Sequence, residues 1–159
     1  MAFLDIFQAA RRADLNQFKH LLDSADLNAV TTDKRSLLHI SIAYGRMDNC
    51  FELIQRGVNL NCQDASGATP LHYAVTYSQI ETARLILEHG GNPSITDEHG
   101  NAPLWNAVFN AKGRYDMVIL LLQNGASATL KNKHGRSPLD FAQQIEDKEL
   151  IGILCNGLT

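Results

Sequence analysis

One short sequence pattern occurs four times at an almost fixed interval. Its clearest copy reads TPLHYA at residues 69–74, and the other copies begin at Ser36, Ala102 and Ser137. The first positions of successive copies lie 33, 33 and 35 residues apart. A period of about 20 to 50 residues is typical of proteins that stack one small unit, so that each unit buries its apolar side against the next. This interval constrains the fold more than any other feature of the chain.

Each copy of the pattern contains residues that begin an α-helix. In the clearest copy, the Thr69 hydroxyl can accept a backbone N–H of the first turn, and Pro70 suits the first helical position because the N–H there has no helical partner to lose. Leu71, Ala74 and Val75 then fall on one side of the helix. The pattern therefore predicts a short helix that packs along one apolar stripe.

The rest of each unit follows the same order. A second apolar stretch with helical spacing comes after each predicted helix, at residues 47–54, 80–87 and 116–122. Each stretch is followed by a glycine that can take the left-handed backbone closing a helix: Gly57, Gly90 and Gly125. A turn signal of the type Asp-x-x-Gly, or a variant of it, follows each glycine. One unit is thus a helix, a tight turn, a second helix and a hairpin-like loop. We call these loops the fingers, at residues 31–35, 64–68, 97–101 and 132–136.

This arrangement resembles the ankyrin repeat family. The resemblance is carried by D-x-x-G-x-T-P-L-H-x-A at residues 64–74 and by the leucine-rich second helix that ends in glycine. It covers essentially the whole chain and implies an all-α solenoid of five helix-turn-helix units joined by hairpin-like loops. We predict one domain over residues 1–159, with full repeats at 31–63, 64–96 and 97–131, an N-terminal capping unit at 1–30 and a C-terminal capping unit at 132–159.

The end units are predicted to act as caps because each must present a polar outer face to water. Removing the first unit should uncover an apolar surface of the second. The residues expected beneath it are Leu38, Ile42, Phe51 and Leu53.

Departures from the repeat pattern identify the unusual positions. Lys34 replaces the turn glycine and Leu37 replaces the proline, which predicts a less ideal finger and helix start in the first full repeat. The third full repeat has two extra residues between its helices, which explains the interval of 35. In the family, the histidine of the motif mainly hydrogen-bonds to neighbouring backbone, so His39 and His72 are predicted to be structural. Trp105 stands at the same position and cannot fully duplicate that role.

Composition excludes several classes of protein. The chain has 159 residues, is 45% hydrophobic and 19% charged, and carries a net charge of −3. It therefore has no overall positive field to attract nucleic acid or anionic lipid, and no apolar stretch of about 18 residues that could span a membrane. Its start lacks the pattern of a signal peptide. Cys50, Cys62 and Cys155 lie far apart, and we expect them to be reduced packing residues of a cytoplasmic protein.

The sequence contains no pattern that predicts catalysis. It has no phosphate-binding loop, no serine nucleophile motif and no zinc-protease motif. His99 and His134 occupy the same place in adjacent fingers and could in principle share a metal ion, but two imidazoles without a carboxylate or thiolate make a poor site. We therefore predict that the protein is not an enzyme and has no catalytic residues, cofactor, metal ion or small-molecule substrate.

The resemblance implies a concave face, lined by fingers and first helices, that binds another protein. Aromatic residues and arginine dominate such interfaces, and the aromatic residues here are expected to form a strip along that face. The alternative is that they only cover the helix packing beneath them. The predicted partner-binding residues are Arg35, Tyr44, Tyr77, His99, Trp105, Phe109, His134 and Arg136.

Protein binding is consequently the predicted activity. We expect a monomer that inhibits or neutralises a partner protein, for example as a bacterial immunity or antitoxin-like protein. A scaffold or adaptor would instead hold two partners on two surfaces. An enzyme and a nucleic-acid-binding protein are the weaker alternatives. The latter rests on one basic cluster, Lys131, Lys133, His134 and Arg136.

Overall fold

The structure is a computed structural model that describes residues 5–12 and 14–157. These residues form ten α-helices and no β-strand, which confirms the all-α prediction. In chain order the helices are α1 (Ile6–Arg11), α2 (Leu15–Leu22), α3 (Leu37–Ala43), α4 (Met47–Gln55), α5 (Pro70–Thr76), α6 (Ile80–Glu88), α7 (Pro103–Phe109), α8 (Asp116–Gln123), α9 (Pro138–Gln144) and α10 (Lys148–Asn156).

The helices lie in two layers. The odd-numbered helices contact one another in the order α1, α3, α5, α7 and α9, and the even-numbered helices do so in the order α2, α4, α6 and α8. Each odd-numbered helix also packs on the even-numbered helix that follows it. We call the odd-numbered helices, which have six or seven residues, the inner helices and the longer even-numbered ones the outer helices. This layered array is the predicted solenoid.

The inner helices begin as the sequence predicts. Thr69 Oγ1 accepts the backbone N–H of His72 at 3.4 Å, and His72 Nδ1 accepts the backbone N–H of Thr69 at 3.1 Å. Pro70 occupies the first turn. The same reciprocal pairing starts two other inner helices, through Ser36 with His39 and Ser137 with Asp140.

The two motif histidines also join neighbouring units. His39 Nε2 lies 3.0 Å from the carbonyl oxygen of Ala68, and His72 Nε2 lies 2.9 Å from that of Asn101. Because Nδ1 accepts a backbone N–H in each ring, Nε2 carries the proton and donates it to the carbonyl. Both rings are buried. The predicted structural role of these histidines is confirmed.

The fingers are tight turns that hydrogen-bond to one another. Within the second finger, the Asp64 N–H donates to the Ala68 carbonyl at 2.9 Å. Between fingers, the Glu98 N–H donates to the Ser66 carbonyl at 2.8 Å, and equivalent bonds link the first finger to the second and the third to the fourth. This packing leaves no room at Gly67, where a Cβ atom would meet the backbone of Glu98 at 3.0 Å.

Lys34 adopts φ 58° at the position where the other fingers have glycine. A left-handed backbone costs a residue with a Cβ atom more than it costs glycine. Lys34 therefore gives the less ideal turn that the sequence predicts for the first finger. The start of α3, also predicted to be less ideal, lacks the proline but keeps the reciprocal cap of Ser36 and His39.

Two packing predictions are wrong. Phe51 was expected beneath the first unit, but its side chain is 53% exposed, because α4 buries Cys50, Leu53 and Ile54 instead. Cys155 was expected to fill space in the core, but it is exposed on α10. Cys50 does pack in the core, where burial raises the pKa of its thiol to about 12.

Candidate partner-binding face

The fingers and inner helices together form one surface, which we call the inner face. It consists of the elements that the sequence analysis predicts to line the concave face. Two neighbouring hollows open on it, and Arg35 in the first finger borders both. The first hollow has a volume of about 270 Å³ and is lined mainly by Arg11, Thr32, Asp33, Arg35, Ile40 and Tyr44.

The second hollow has a volume of about 160 Å³. Its lining includes Arg35, His72, Tyr73, Thr76, Tyr77, Asp97 and Asn106. The structure therefore brings three of the predicted site residues, Arg35, Tyr44 and Tyr77, to adjoining hollows.

Tyr44 and Tyr77 occupy equivalent places on this face, directly after α3 and α5. Each side chain is 51% exposed. The guanidinium of Arg11 lies 5.6 Å from the centre of the Tyr44 ring, a cation–π contact. Both tyrosines thus present about half of their surface to solvent, while the other half rests on the protein.

Tyr73 is an inner-face residue that the sequence analysis missed. Its ring lies 4.8 Å from that of His39 and 6.2 Å from that of Tyr77, and its hydroxyl donates to Asp64 Oδ2 at 2.8 Å. Burial raises the pKa of Asp64, but hydrogen bonds from Ser66, Tyr73 and the finger backbone outweigh burial and hold the pKa below its usual value. Tyr73 is therefore fixed in place, and it supports Tyr77. The sequence does contain a signal for it, since Tyr73 is the aromatic residue directly after His72 in the motif.

The remaining aromatic residues form a separate group towards the C-terminal end. Phe141, also missed, lies 5.8 Å from Trp105 and 5.4 Å from Phe109, measured between ring centres. Phe109 is 60% exposed, whereas Trp105 is partly buried. Among residues 5–12 and 14–157, no ring contact joins this group to Tyr77. The predicted strip is thus divided: Tyr77 is grouped with Tyr73, Trp105 and Phe109 are grouped with Phe141, and Tyr44 contacts Arg11 instead.

Trp105 does not replace the histidine of the motif. Ala102 stands at the cap position before its helix and provides no side-chain hydrogen bond. Trp105 packs on Phe141 of the next inner helix instead. The prediction that it cannot duplicate the histidine is confirmed.

The four predicted finger residues, Arg35, His99, His134 and Arg136, are all exposed. His99 Nε2 lies 3.7 Å from Glu98 Oε1 in the same finger. The third and fourth fingers are joined by the Lys133 N–H, which donates to the His99 carbonyl at 3.0 Å. Within the described part of the chain, no three His, Cys, Asp or Glu side chains are grouped to hold a metal ion.

The fold and this face define a class of protein, a stack of helix pairs that presents a row of fingers to a partner. The family model described as ankyrin repeats (3 copies) matches residues 6–97 and 44–132. The chain belongs to the ankyrin repeat family. It is therefore a protein–protein interaction module, from a family whose domains are generally not catalytic. None of the helices described here is long and apolar enough to cross a membrane.

Proposed function

We propose that this protein binds a partner protein through its inner face and thereby inhibits or neutralises it. The observation that carries this proposal is the position of two half-exposed tyrosines, Tyr44 and Tyr77, at the ends of inner helices and beside the two hollows that Arg35 borders. Tyr44, Tyr77 and Phe109 are 51%, 51% and 60% exposed. Exposed aromatic residues of this kind contribute much of the affinity at protein interfaces because they bury a large area at a small entropic cost.

The proposed interface consists of the predicted residues together with those found beside them. Tyr44 and Tyr77 would provide the central contacts, with Arg35 between their hollows. Phe109 and Trp105 would extend the interface over the C-terminal aromatic group. His99, His134 and Arg136 would meet the partner at the finger tips.

The first experiment identifies the partner. The full chain is used as bait in lysate of the source cell, beside a Tyr44→Ala/Tyr77→Ala bait and a Phe51→Ala bait. Phe51 is a matched control because it is equally exposed, at 53%, but lies on the outer helix α4. We expect the same protein on the wild-type and Phe51→Ala baits and its loss from the tyrosine variant. A partner retained by the tyrosine variant and lost from the Phe51 variant would contradict the inner face as the binding site.

The second experiment tests whether binding inhibits the partner. Action as a cytoplasmic immunity or antitoxin-like protein would be one form of such inhibition. The activity of the identified partner is measured while the wild-type protein is added up to an equimolar amount. We expect the activity to fall with the fraction bound. Full partner activity at saturation would exclude inhibition and neutralisation.

A scaffold is the second candidate, because one further hollow lies at the long turn between α7 and α8. This hollow has a volume of about 160 Å³, and its lining includes Val75, Ile80, Asn110, Arg114 and Met117. A scaffold predicts that Arg114→Glu releases one partner while the tyrosine variant releases another. If both changes affect the same single partner, the protein has one binding function.

A further inference from the structure

Charge is distributed unequally between the fingers and the outer helices. The exposed charged side chains of the fingers are four cations and two carboxylates: Lys34, Arg35, Lys133, Arg136, Asp33 and Glu98. The outer helices carry six carboxylates and only three cations. The carboxylates are Asp48, Glu52, Glu81, Glu88, Asp116 and Glu149. The cations are Lys19, Arg84 and Lys148.

Two other finger carboxylates accept hydrogen bonds from their own fingers. Asp64 is buried and accepts hydrogen bonds from Ser66, Ala68 and Tyr73. Asp97 accepts the backbone N–H groups of His99 and Asn101. These two carboxylates keep their negative charge, so the fingers carry four carboxylates and four cations and have no net charge, whereas the outer helices carry a net charge of −3. An acidic partner is therefore repelled by the outer helices and not by the fingers.

The two arginines of the first hollow are free to bind such a partner. Neither Arg11 nor Arg35 has a carboxylate within 4.0 Å among the described residues, whereas Arg56 on the outer side is held by both Glu52 and Asp23. Asp33 borders the same hollow, so two guanidinium groups face one carboxylate there. The second hollow is bordered by Arg35 and by Asp97, whose Oδ1 already accepts two backbone N–H groups. A guanidinium binds a carboxylate through two parallel hydrogen bonds, and Arg11 and Arg35 are both available for this.

We propose that the inner face recognises an acidic protein segment, whose carboxylates bind Arg11 and Arg35 and whose apolar side chains pack on Tyr44 and Tyr77. This inference rests on the proposed function and specifies the chemistry of the partner. Arg35 borders both hollows, so one extended segment that crosses it reaches Tyr44 on one side and Tyr77 on the other. The arginines favour segments that contain Asp or Glu. The tyrosines favour segments that also contain apolar side chains over segments made of acidic residues alone.

Nucleic acid fits this face less well. Phosphate binding requires a run of cations along the strand, and here Asp33 and Glu98 interrupt the finger cations. The negative outer helices add a repulsion that grows with the length of the polyanion.

The test uses randomised 16-residue peptides displayed on phage and selected on the immobilised full chain. The peptide that is most enriched is synthesised with a fluorescent label and titrated against four proteins. These are the wild type, the inner variant Arg11→Glu/Arg35→Glu, its neutral form Arg11→Gln/Arg35→Gln, and the outer variant Arg84→Glu/Lys148→Glu. The two Glu variants change the net charge equally, so only the position of the charge differs. Melting temperatures show whether each variant folds, and the Gln form replaces the Glu form if the latter does not.

We expect the selected peptides to be rich in Asp and Glu and to contain apolar residues. Their affinity should fall roughly thirtyfold or more in the inner variant, fall by less than about threefold in the outer variant, and weaken as salt increases. Peptides that are neutral or basic, bind the inner variant normally and lose binding to Tyr44→Ala/Tyr77→Ala would overturn the acidic preference while leaving the proposed function intact.

Two further results overturn the inference. Peptide binding that neither the arginine changes nor the tyrosine changes affect would reject both the acidic preference and the inner face. A 20-nucleotide single-stranded DNA that competes as well as the acidic peptide would show that the face binds polyanions in general and does not select a protein segment.

Discussion

A neutral imidazole buried at a junction between units makes stability depend on pH. Burial lowers the pKa of His39 to about 4, although the hydrogen bond to Ala68 acts in the opposite direction. In the unfolded chain the pKa returns to about 6.5. Between about pH 6.5 and 4 the unfolded chain therefore binds a proton that the folded protein does not, and the free energy of unfolding falls as the pH falls. Burial lowers the pKa of His72 in the same direction.

This dependence can be measured with a His39→Gln variant. From pH 7 to pH 4.5 the wild type should lose about 2 kcal/mol more of its free energy of unfolding than the variant does, because Gln cannot titrate. Chemical denaturation at several pH values gives both curves. A His20→Gln variant, which changes an exposed histidine on α2, should follow the wild type. Parallel curves for the wild type and His39→Gln would show that His39 is not buried in its neutral form.

A change at the N-terminal cap of α5 should affect stability without affecting binding. Thr69→Ala removes the side-chain acceptor for the His72 N–H, which should lower the free energy of unfolding by about 1 kcal/mol. Thr69 is buried, so partner affinity should change little. Urea denaturation and a binding titration measure the two effects. If affinity falls at temperatures where the variant is fully folded, Thr69 contributes to recognition and not only to the scaffold.

The first unit is attached to the array through the end of α1. Ala10 on α1 is fully buried against the array. Arg46 Nε donates to the Arg11 carbonyl at 2.8 Å, and Asn49 Nδ2 donates to the Ala10 carbonyl at 3.3 Å. The first unit is thus held by both apolar packing and hydrogen bonds to the end of its first helix.

Deleting residues 1–28 should therefore cause aggregation or a large loss of stability. The deletion uncovers apolar side chains that are buried in the full chain, among them Leu38 and Ile42. Phe51 does not add to this effect because it is already exposed. Size-exclusion chromatography and thermal melting provide the measurement. A monomeric truncated protein with an unchanged melting temperature would mean that the first unit is not a cap.

Helix ends and turns were predictable because their chemistry is local. Thr69, Pro70 and Gly57 act through the backbone within one turn, so the sequence alone indicates their roles. The buried side of α4 was harder to predict. Its sequence has apolar residues on two stripes, and only contact with neighbouring helices decides that Cys50 is buried and Phe51 is not.

Parts of the site could not be predicted for a related reason. The support of Tyr77 by Tyr73 follows from the helical register, but the contact of Tyr73 with His39 joins different units. The stacking of Arg11 over Tyr44 also crosses between units. Such contacts depend on how the units are rotated against one another, and the repeat interval does not specify that rotation.

Large apolar side chains of similar exposure lie on opposite sides of the molecule. Tyr44 and Tyr77 on the inner face and Met47 and Phe51 on α4 are all between 51% and 53% exposed. Exposure alone therefore does not identify the interface. What distinguishes the inner face is that its tyrosines adjoin hollows bordered by Arg11 and Arg35, neither of which has a carboxylate within 4.0 Å among the described residues.

Hydroxyl-radical footprinting of the protein with and without its bound partner would locate the interface on one face or the other. The method reads the solvent exposure of individual aromatic and sulfur-containing side chains, and the two faces offer matched sets of them. We predict that binding slows the oxidation of Tyr44 and Tyr77 and leaves that of Met47 and Phe51 unchanged. Protection of Met47 and Phe51 with unchanged oxidation of both tyrosines would contradict recognition through the inner face.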